Sequence, residues 1–536
     1  MHGMIVAPQP EAVEAGAMTF RRGGNAIDAA IACAFVQGVV DPMMSGIGGF
    51  GSMQVYMPKR GVHFMLEFYC RAPLNIKPDI WVESLTGESR DGFAFLLENH
   101  ENEIGYLAIG TPGSLKGYAH ALSNYGTMDL KDIMAPAIAQ ADEGFVVRPH
   151  VHWYWNQDQK KAGQVNLIDK LRYTEYGKSV YFHPDGSLKG LGERVHNPDL
   201  ATTLKRVAEH GPDIFYRGEL AEEFVADMQA HGGLMTMEDL ARMEVNTVEP
   251  LWGEYRGRRI STSQPPASGA AMLEFLHIME NFDLRGVEHN SPEHIRILVE
   301  AMKRMTKDKD TLIGDPLYDE VPVELMVSKE RAASLADEIK RGERSSVSRF
   351  SVSEKEHRET TTVVTADEEG NIVALTHTIA SPSGVITKGH GFMWNGCMSR
   401  FDPRPGHAKS IAPGKRRASS QAPTIIFEGD KPVFVASAPG GGYIAPALAQ
   451  CVMNVFDYDM SVLEAISAPR VMAISNSIDV SNRIPRYVTD ELTADGYDIK
   501  RSYQSFAFAG VHAIKIGESD WQGAADPQRD GMALKA

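Results

Sequence analysis

Apolar positions near the start of the chain recur at helical spacing and are cut by glycine and proline. Val13, Ala17 and Phe20 form one such stripe, and Gly23-Gly24 stand where a helix C-cap is expected. Asn25 then reads as an N-cap with Asp28 at N3, opening an apolar helix through Ile27, Ile31 and Phe35 that stops before Pro42. Ser45-Gly46-Ile47-Gly48-Gly49 follows and leads into a strand-like run, Ser52 to Tyr56. No helix start follows these glycines, so a tight crossing of two backbone segments explains them better than a phosphate cradle does. Residues 120 to 345 are mostly helical in pattern; His294 to Met305, with Ile297, Val299, Ala301 and Met302 among charges, is one amphipathic helix. Arg341 to Glu359 loses the pattern, is polar and serine-rich, and reads as a solvent-exposed linker.

Beyond the linker the pattern changes to strands. Thr361 to Thr365 and Ile372 to Thr378 are β-rich runs joined by Asp367-Glu368-Glu369-Gly370-Asn371, a hairpin signal. Thr424 to Phe427 and Pro432 to Ala438 repeat it around Gly429-Asp430. Gly440-Gly441-Gly442 precede an apolar helix through Leu448 and Val452, and Ser461 with Glu464 forms a capping box for a further helix ending before Pro469. Two hairpins followed by helices predict layered sheets flanked by helices, an α/β (α+β) protein without the Rossmann alternation.

Composition narrows the function classes. The 536 residues are 43% apolar and 23% charged, which is ordinary for a globular protein with a sizeable core. A net charge of -16 would repel a phosphate backbone or an anionic bilayer, so general nucleic-acid or membrane binding is not expected. Met1 to Pro10 lacks the features of a signal peptide, and no run of about 18 apolar residues is present to span a bilayer. Cys33, Cys70, Cys397 and Cys451 are scattered without metal-ligand spacing, which suits free thiols in a reducing compartment. The expectation is a cytoplasmic protein with no metal and no cofactor, and His377 and His390 read as structural.

Several short motifs carry a resemblance to a known family. Gly3 to Pro8, Arg22-Gly23-Gly24-Asn25-Ala26-Ile27-Asp28-Ala29-Ala30 and Ser45 to Gly49 resemble the opening of gamma-glutamyltransferases. Phe215-Tyr216-Arg217-Gly218-Glu219-Leu220-Ala221, His231-Gly232-Gly233-Leu234 and Pro265-Pro266-Ala267-Ser268-Gly269 resemble the middle of that family. Ser437-Ala438-Pro439-Gly440-Gly441 and Ala525-Asp526-Pro527-Gln528-Arg529-Asp530-Gly531 resemble its end. The resemblance spans nearly the whole chain in one order. It implies an αββα four-layer sandwich of the N-terminal-nucleophile hydrolase type, made as a precursor that cuts itself before a threonine.

Alignment on Asp367, Gly370 and Asn371 places that cut between Glu359 and Thr360, giving a large subunit 1–359 (with 341–359 the exposed linker) and a small subunit 360–536. The two would stay together as one intertwined unit, and further assembly into a homo-oligomer is left open. From residue types alone, Thr360, Thr361 and Thr362 are equivalent, three threonines opening a strand. The family match is what singles out Thr360. A threonine hydroxyl is a poor nucleophile without a base; a free α-amino group of pKa about 7.7–8 can take its proton, so cleavage creates the catalyst. The resemblance further implies Thr378 as the partner of the nucleophile, Gly440 and Gly441 as the oxyanion hole, and Ser419 and Ser420 at the carboxylate end of the substrate.

The substrate-recognition positions depart from the family. Its carboxylate-binding arginine is replaced by Tyr69, with Arg71 two positions later, and its ammonium-binding aspartate is replaced by Arg400. Ala380 and Thr362 also stand where the family commonly has asparagine and histidine. A cation facing an ammonium at contact distance is unfavourable by about 4 kcal/mol at an effective dielectric of 20. Arg71 and Arg400 together therefore point to a small amide whose acyl group carries a carboxylate and no α-ammonium. Oxamate and glutaryl-cephalosporin substrates of superfamily members are of that kind. Three alternatives stay open: Arg400 as no more than a structural salt bridge, a glutathione hydrolase with Arg71 as a rearranged clamp, or a non-processing binding homologue.

Overall fold

The computed structural model describes residues 2–350, 359–502, 508–518 and 520–536. The residues 351–358 of the expected linker lie outside this range.

Two large antiparallel sheets are stacked face to face and covered by helices on their outer sides. The thirteen strands of these sheets are β1 (Gly3–Ala7), β2 (Phe50–Met57), β3 (Val62–Phe68), β4 (Asn246–Val248), β5 (Leu251–Tyr255), β6 (Arg258–Thr262), β7 (Thr361–Asp367), β8 (Ile372–Thr378), β9 (Thr424–Glu428), β10 (Lys431–Ser437), β11 (His512–Ile516), β12 (Trp521–Ala525) and β13 (Met532–Lys535). The first sheet runs β13-β1-β7-β8-β2-β3-β4 and the second β12-β11-β10-β9-β6-β5. Five of the covering helices matter here: α1 (Pro10–Arg21), α2 (Ala26–Val40), α3 (Gly269–Met279), α4 (Pro292–Leu312) and α5 (Ile444–Phe456).

Alternation along the strands builds the layers. Met4, Val6, Val364, Ala366, Ile372 and Ala374 of the first sheet meet Ile425, Phe427, Val435 and Ile514 of the second, closing an apolar seam between the sheets. The opposite faces bury Ile5, Val363, Val373 and Leu375 against α1 and α2, and Ile260, Ile426 and Phe434 against α3, α4 and α5. This is the αββα four-layer sandwich, and it is the fold of the N-terminal-nucleophile hydrolases. No helix among the described residues is long and apolar enough to cross a membrane.

Local signals fix the elements around the future site. The Asn25 side chain accepts from the N–H groups of Ile27 and Asp28, and the Asp28 carboxylate accepts from Asn25 N–H, the capping box its spacing suggested. Asp367 closes the β7–β8 turn: its carboxylate accepts from the N–H of Glu369 and Asn371, and from Ala26 N–H at the start of α2. The glycine-rich turn is a backbone crossing, since a Cβ on Gly49 would stand 2.3 Å from the Thr378 carbonyl oxygen.

The middle of the chain is mostly helical, as its pattern suggests, but β4, β5 and β6 lie within it and complete both sheets. Their runs are short and polar on one side, so the helical period of their neighbours masked them. Two expectations need correction. The linker is exposed only in part: Val347 is buried, the Arg349 side chain is ion-paired with Asp310, and Glu359 is buried. The cysteines are not all apart, because the fold brings the Cys70 and Cys397 sulfurs to 2.6 Å.

Candidate active site

Both sheets end at the same place. Thr361 of β7 pairs with His377 of β8, so Thr360, one residue earlier, lies level with Thr378. Thr376 and Ser437 share a hydroxyl hydrogen bond across the seam, which brings the turn after β10 beside these two threonines.

The three consecutive threonines are no longer equivalent. The Thr361 hydroxyl donates to Gln9 Oε1 (3.0 Å) and accepts from Gln37 Nε2 (3.0 Å), while the Thr362 hydroxyl donates to the Leu375 carbonyl (2.6 Å). Both are committed to the scaffold. The Thr360 hydroxyl instead donates to Thr378 Oγ1 (3.3 Å), which also accepts from Ala380 N–H (2.9 Å). Thr360 has φ 125°, a conformation that strains a β-branched residue by about 1–3 kcal/mol. Ala380 is left-handed (φ 55°), the backbone state that asparagine adopts more readily than alanine. His377 bonds Gln37 Oε1 (2.7 Å) beneath the strand, and burial pushes its pKa down to about 3, so it is a neutral structural group.

Gly440 (φ 142°) and Gly441 (φ 55°) form the turn between β10 and the 3-10 residues Gly441–Tyr443 that lead into α5. The hydrogen bonds of this turn use other donors: Tyr443 N–H reaches the Gly440 carbonyl and Gly510 N–H the Pro439 carbonyl. Backbone N–H groups held at a helix start suit a developing oxyanion. A Cβ on Gly440 would lie 2.4 Å from Ala509 Cβ, at a φ closed to L side chains. Gly440→Ala must therefore displace the turn. We expect it to fold, by circular dichroism, yet lose about 10²–10³ in turnover; full activity would remove this turn from the chemistry.

Arg400 and Glu359 meet at 3.1 Å, both buried, so the residue before Thr360 is already held by a cation. Arg400 also lines a small cavity with Phe93, Ser268, Lys309, Lys409, Ser419 and Ser420, which leaves about 20 Å³ open. Ser419 is fixed by its N–H to the Pro266 carbonyl (2.8 Å), and Ser268 Oγ donates to the Ser419 carbonyl (2.9 Å). Lys309 and Lys409 reach the cavity from beside Asp310, which pairs with them at 3.2 and 2.9 Å and with Arg349 at 2.6 Å. Burial alone would raise the Asp310 carboxyl, but these three cations hold it well below the usual carboxylate range. Burial likewise keeps the Lys309 ammonium below the usual lysine range.

The companion of Arg400 is not Arg71. Arg71 is half-buried, bridges Thr111 through its backbone, does not line this cavity, and its charge acts on Tyr318. The nearer cation is Arg417, whose guanidinium lies 4.9 Å from the Phe93 ring centre, as that of Arg400 does, and 5.0 Å from Phe50. Burial, with Arg400 adding to it, pushes the Arg417 pKa down to about 10. Tyr69 is fully buried with Phe50, Ala380, Met398 and Phe401, and burial raises its phenol, so it serves as packing beneath the site. Among the described residues no group of histidine, cysteine, aspartate or glutamate could hold a metal ion.

Comparison with known proteins bears on this arrangement. A family model described as gamma-glutamyltranspeptidase matches residues 12–536. The chain belongs to this family. It is 34% identical over 542 residues to the acylase ACY 1 proenzyme of Pseudomonas sp. (strain V22), covering 99% of this chain and 93% of that protein. It is 31% identical over 555 residues to the glutathione hydrolase proenzyme of Bacillus subtilis (strain 168), covering 99% and 91%. Among solved structures, the cephalosporin acylase from Bacillus halodurans superposes with a TM-score of 0.86 at 27% identity, over 99% of this chain and 95% of that one. The protein is thus an enzyme of the N-terminal-nucleophile hydrolases, and its relatives within the family include both acylases and glutathione hydrolases.

Proposed function

We propose that this gamma-glutamyltranspeptidase-family member cuts itself before Thr360 and then hydrolyses amides of small acyl groups that carry a carboxylate, oxamate-like acids among them. The observation that carries the reading is the cavity that Arg400, the ion-pair partner of Glu359, lines together with two further cations, Lys309 and Lys409, and no carboxylate. In a chain of net charge -16, such a concentration of positive charge fits an anionic acyl group and opposes an α-ammonium.

Self-cleavage begins with attack of Thr360 Oγ1 on the Glu359 carbonyl carbon. The peptide C–N bond breaks as the Thr360 nitrogen takes a proton, leaving an ester that water hydrolyses. The strained φ of Thr360 is defined only while the peptide bond to Glu359 exists, so the cut removes that strain. It also makes Glu359 the end of a separate chain, which frees Arg400 to read the carboxylate of a substrate. The new α-amino group then takes the Thr360 hydroxyl proton during attack on the amide. The N–H groups of Gly440 and Gly441 receive the oxyanion, the protonated amine leaves, and water returns the enzyme. The leaving amine has room in an adjoining cavity of about 450 Å³ that shares Gly92 and Lys409 with the acyl pocket.

The second reading, a glutathione hydrolase, rests on the Bacillus subtilis relative. It needs a carboxylate clamp from Arg71, which stands outside the cavity. A panel of amides on processed enzyme separates the two. Oxamate and short dicarboxylic monoamides should be cleaved at least tenfold more efficiently than a gamma-glutamyl anilide; the reverse order supports the glutathione hydrolase.

A further inference from the structure

Outside the chemistry described above, two of the four cysteines form an arrangement the sequence does not announce. Cys70 follows Tyr69 at the end of β3, and Cys397 opens the short turn Cys397–Arg400 that carries Arg400. Both side chains are fully buried, and their sulfurs are 2.6 Å apart. Two thiols in ordinary contact sit well over 3 Å apart, whereas a disulfide bond is about 2.05 Å. The surroundings hold the pair together. Gly110 packs directly on both sulfurs, and a Cβ there would lie 2.5 Å from Cys70 Sγ and 2.6 Å from Cys397 Sγ. Asn395 ties the same loop together: its Nδ2 donates to the carbonyls of Gly48 and Gly110, and its Oδ1 accepts from Gly110 N–H and from the Cys70 thiol (3.5 Å).

We propose that Cys70 and Cys397 are an oxidisable modification site, whose disulfide covalently joins the large subunit to the small one and pins the Tyr69 segment to the turn that carries Arg400. The joining of two chains rests on the self-cleavage proposed above; formation of the disulfide does not. The step balances with a peroxide as oxidant. One thiol takes an oxygen from hydrogen peroxide to become a sulfenic acid, releasing water; the second thiol attacks that sulfur, the S–S bond forms, and a second water leaves. Burial and the neighbouring Cys397 raise the Cys70 thiol well above the usual range, so the first oxidation is slow, and the adjacent sulfur then captures the product at once. The other two cysteines, Cys33 and Cys451, lie in separate cores and have no such partner among the described residues.

The test treats purified enzyme with hydrogen peroxide, quenches with iodoacetamide and compares denaturing gels with and without dithiothreitol. The expected result is two fragments with reductant and one band at the mass of the uncut chain without it. That band should vanish in both Cys70→Ser and Cys397→Ser and persist in Cys33→Ser and Cys451→Ser. Mapping of oxidised wild-type protein should recover the Cys70 and Cys397 peptides joined and two hydrogens lighter, a readout that survives if a serine variant misfolds. Two separate fragments without reductant, with both thiols alkylated once unfolded, would overturn the proposal. A single band even with reductant would instead count against self-cleavage, and the joined peptides would still report the disulfide.

Discussion

Thr360→Ala is expected to purify as one uncut chain and to lose turnover by about 10⁴–10⁶-fold, the scale seen when a nucleophile is removed. The two losses arise from the same atom, since the hydroxyl attacks first its own chain and then the substrate. Folding should be unaffected: among the described residues the hydroxyl donates one long hydrogen bond, to Thr378. Thr360→Ser keeps the oxygen and should process and turn over, more slowly. The neighbouring threonines supply the control. Thr361 is tied to Gln9 and Gln37 and Thr362 to the β8 backbone, so Thr361→Ala should cost stability, about 1–3 kcal/mol for the polar groups left unpaired, while processing continues. Processing in Thr360→Ala would place the nucleophile elsewhere.

Arg400→Ala carries the second large effect. Truncating one partner of a buried charge pair typically costs about 2–5 kcal/mol, so KM for the acidic amide should rise about thirtyfold to several thousandfold, with kcat less changed. Because Arg400 pairs with Glu359 in the uncut chain, the variant should also process slowly, and kinetics belong to its processed fraction. Arg417→Ala, which removes the cation stacked on the cavity residue Phe93 and not a lining residue, should act in the same direction more weakly, whereas Arg71→Ala should change KM little. Arg400→Asp with Tyr69→Arg should move preference back towards gamma-glutamyl amides. The exchange puts a cation into the apolar cluster around Phe50 and Met398, and the new aspartate partly offsets it. An unchanged KM in Arg400→Ala, or a wild-type enzyme that cleaves a gamma-glutamyl anilide as well as acidic amides, would contradict this account of the pocket.

The layered architecture was legible because its strongest signals are local. The capping boxes at Asn25 and Ser461 and the hairpin closed by Asp367 depend on residues a few positions apart, and each forms as its spacing suggests. Several strands were not legible. β1, β4 and β13 are short and pair only with segments far away in sequence, so no local period announces them. The pocket was half legible for a related reason. Arg400 stands out against a family motif, but Lys309 lies in a charged run, Lys307-Asp308-Lys309-Asp310, that gives no sign of burial. Arg417 closes Lys415-Arg416-Arg417, a run that suggests surface charge. Both are buried in the fold, Lys309 lining the cavity with Phe93 and Ser419 and Arg417 against the Phe93 ring. Arg71 shows the converse: close to Tyr69 in sequence, it bridges Thr111 through its backbone and does not line the cavity. Charge placement around a site is a tertiary property, and proximity in sequence is a poor guide to it.

The central claim is that Thr360 becomes a chain terminus and acts as the nucleophile. Edman sequencing of the small fragment from freshly purified protein tests it directly. The account predicts a sequence beginning Thr-Thr-Thr-Val-Val, residues 360 onwards, and a large fragment whose mass ends at Glu359. A fragment starting at any other residue, or an active enzyme that remains one uncut chain, would contradict it.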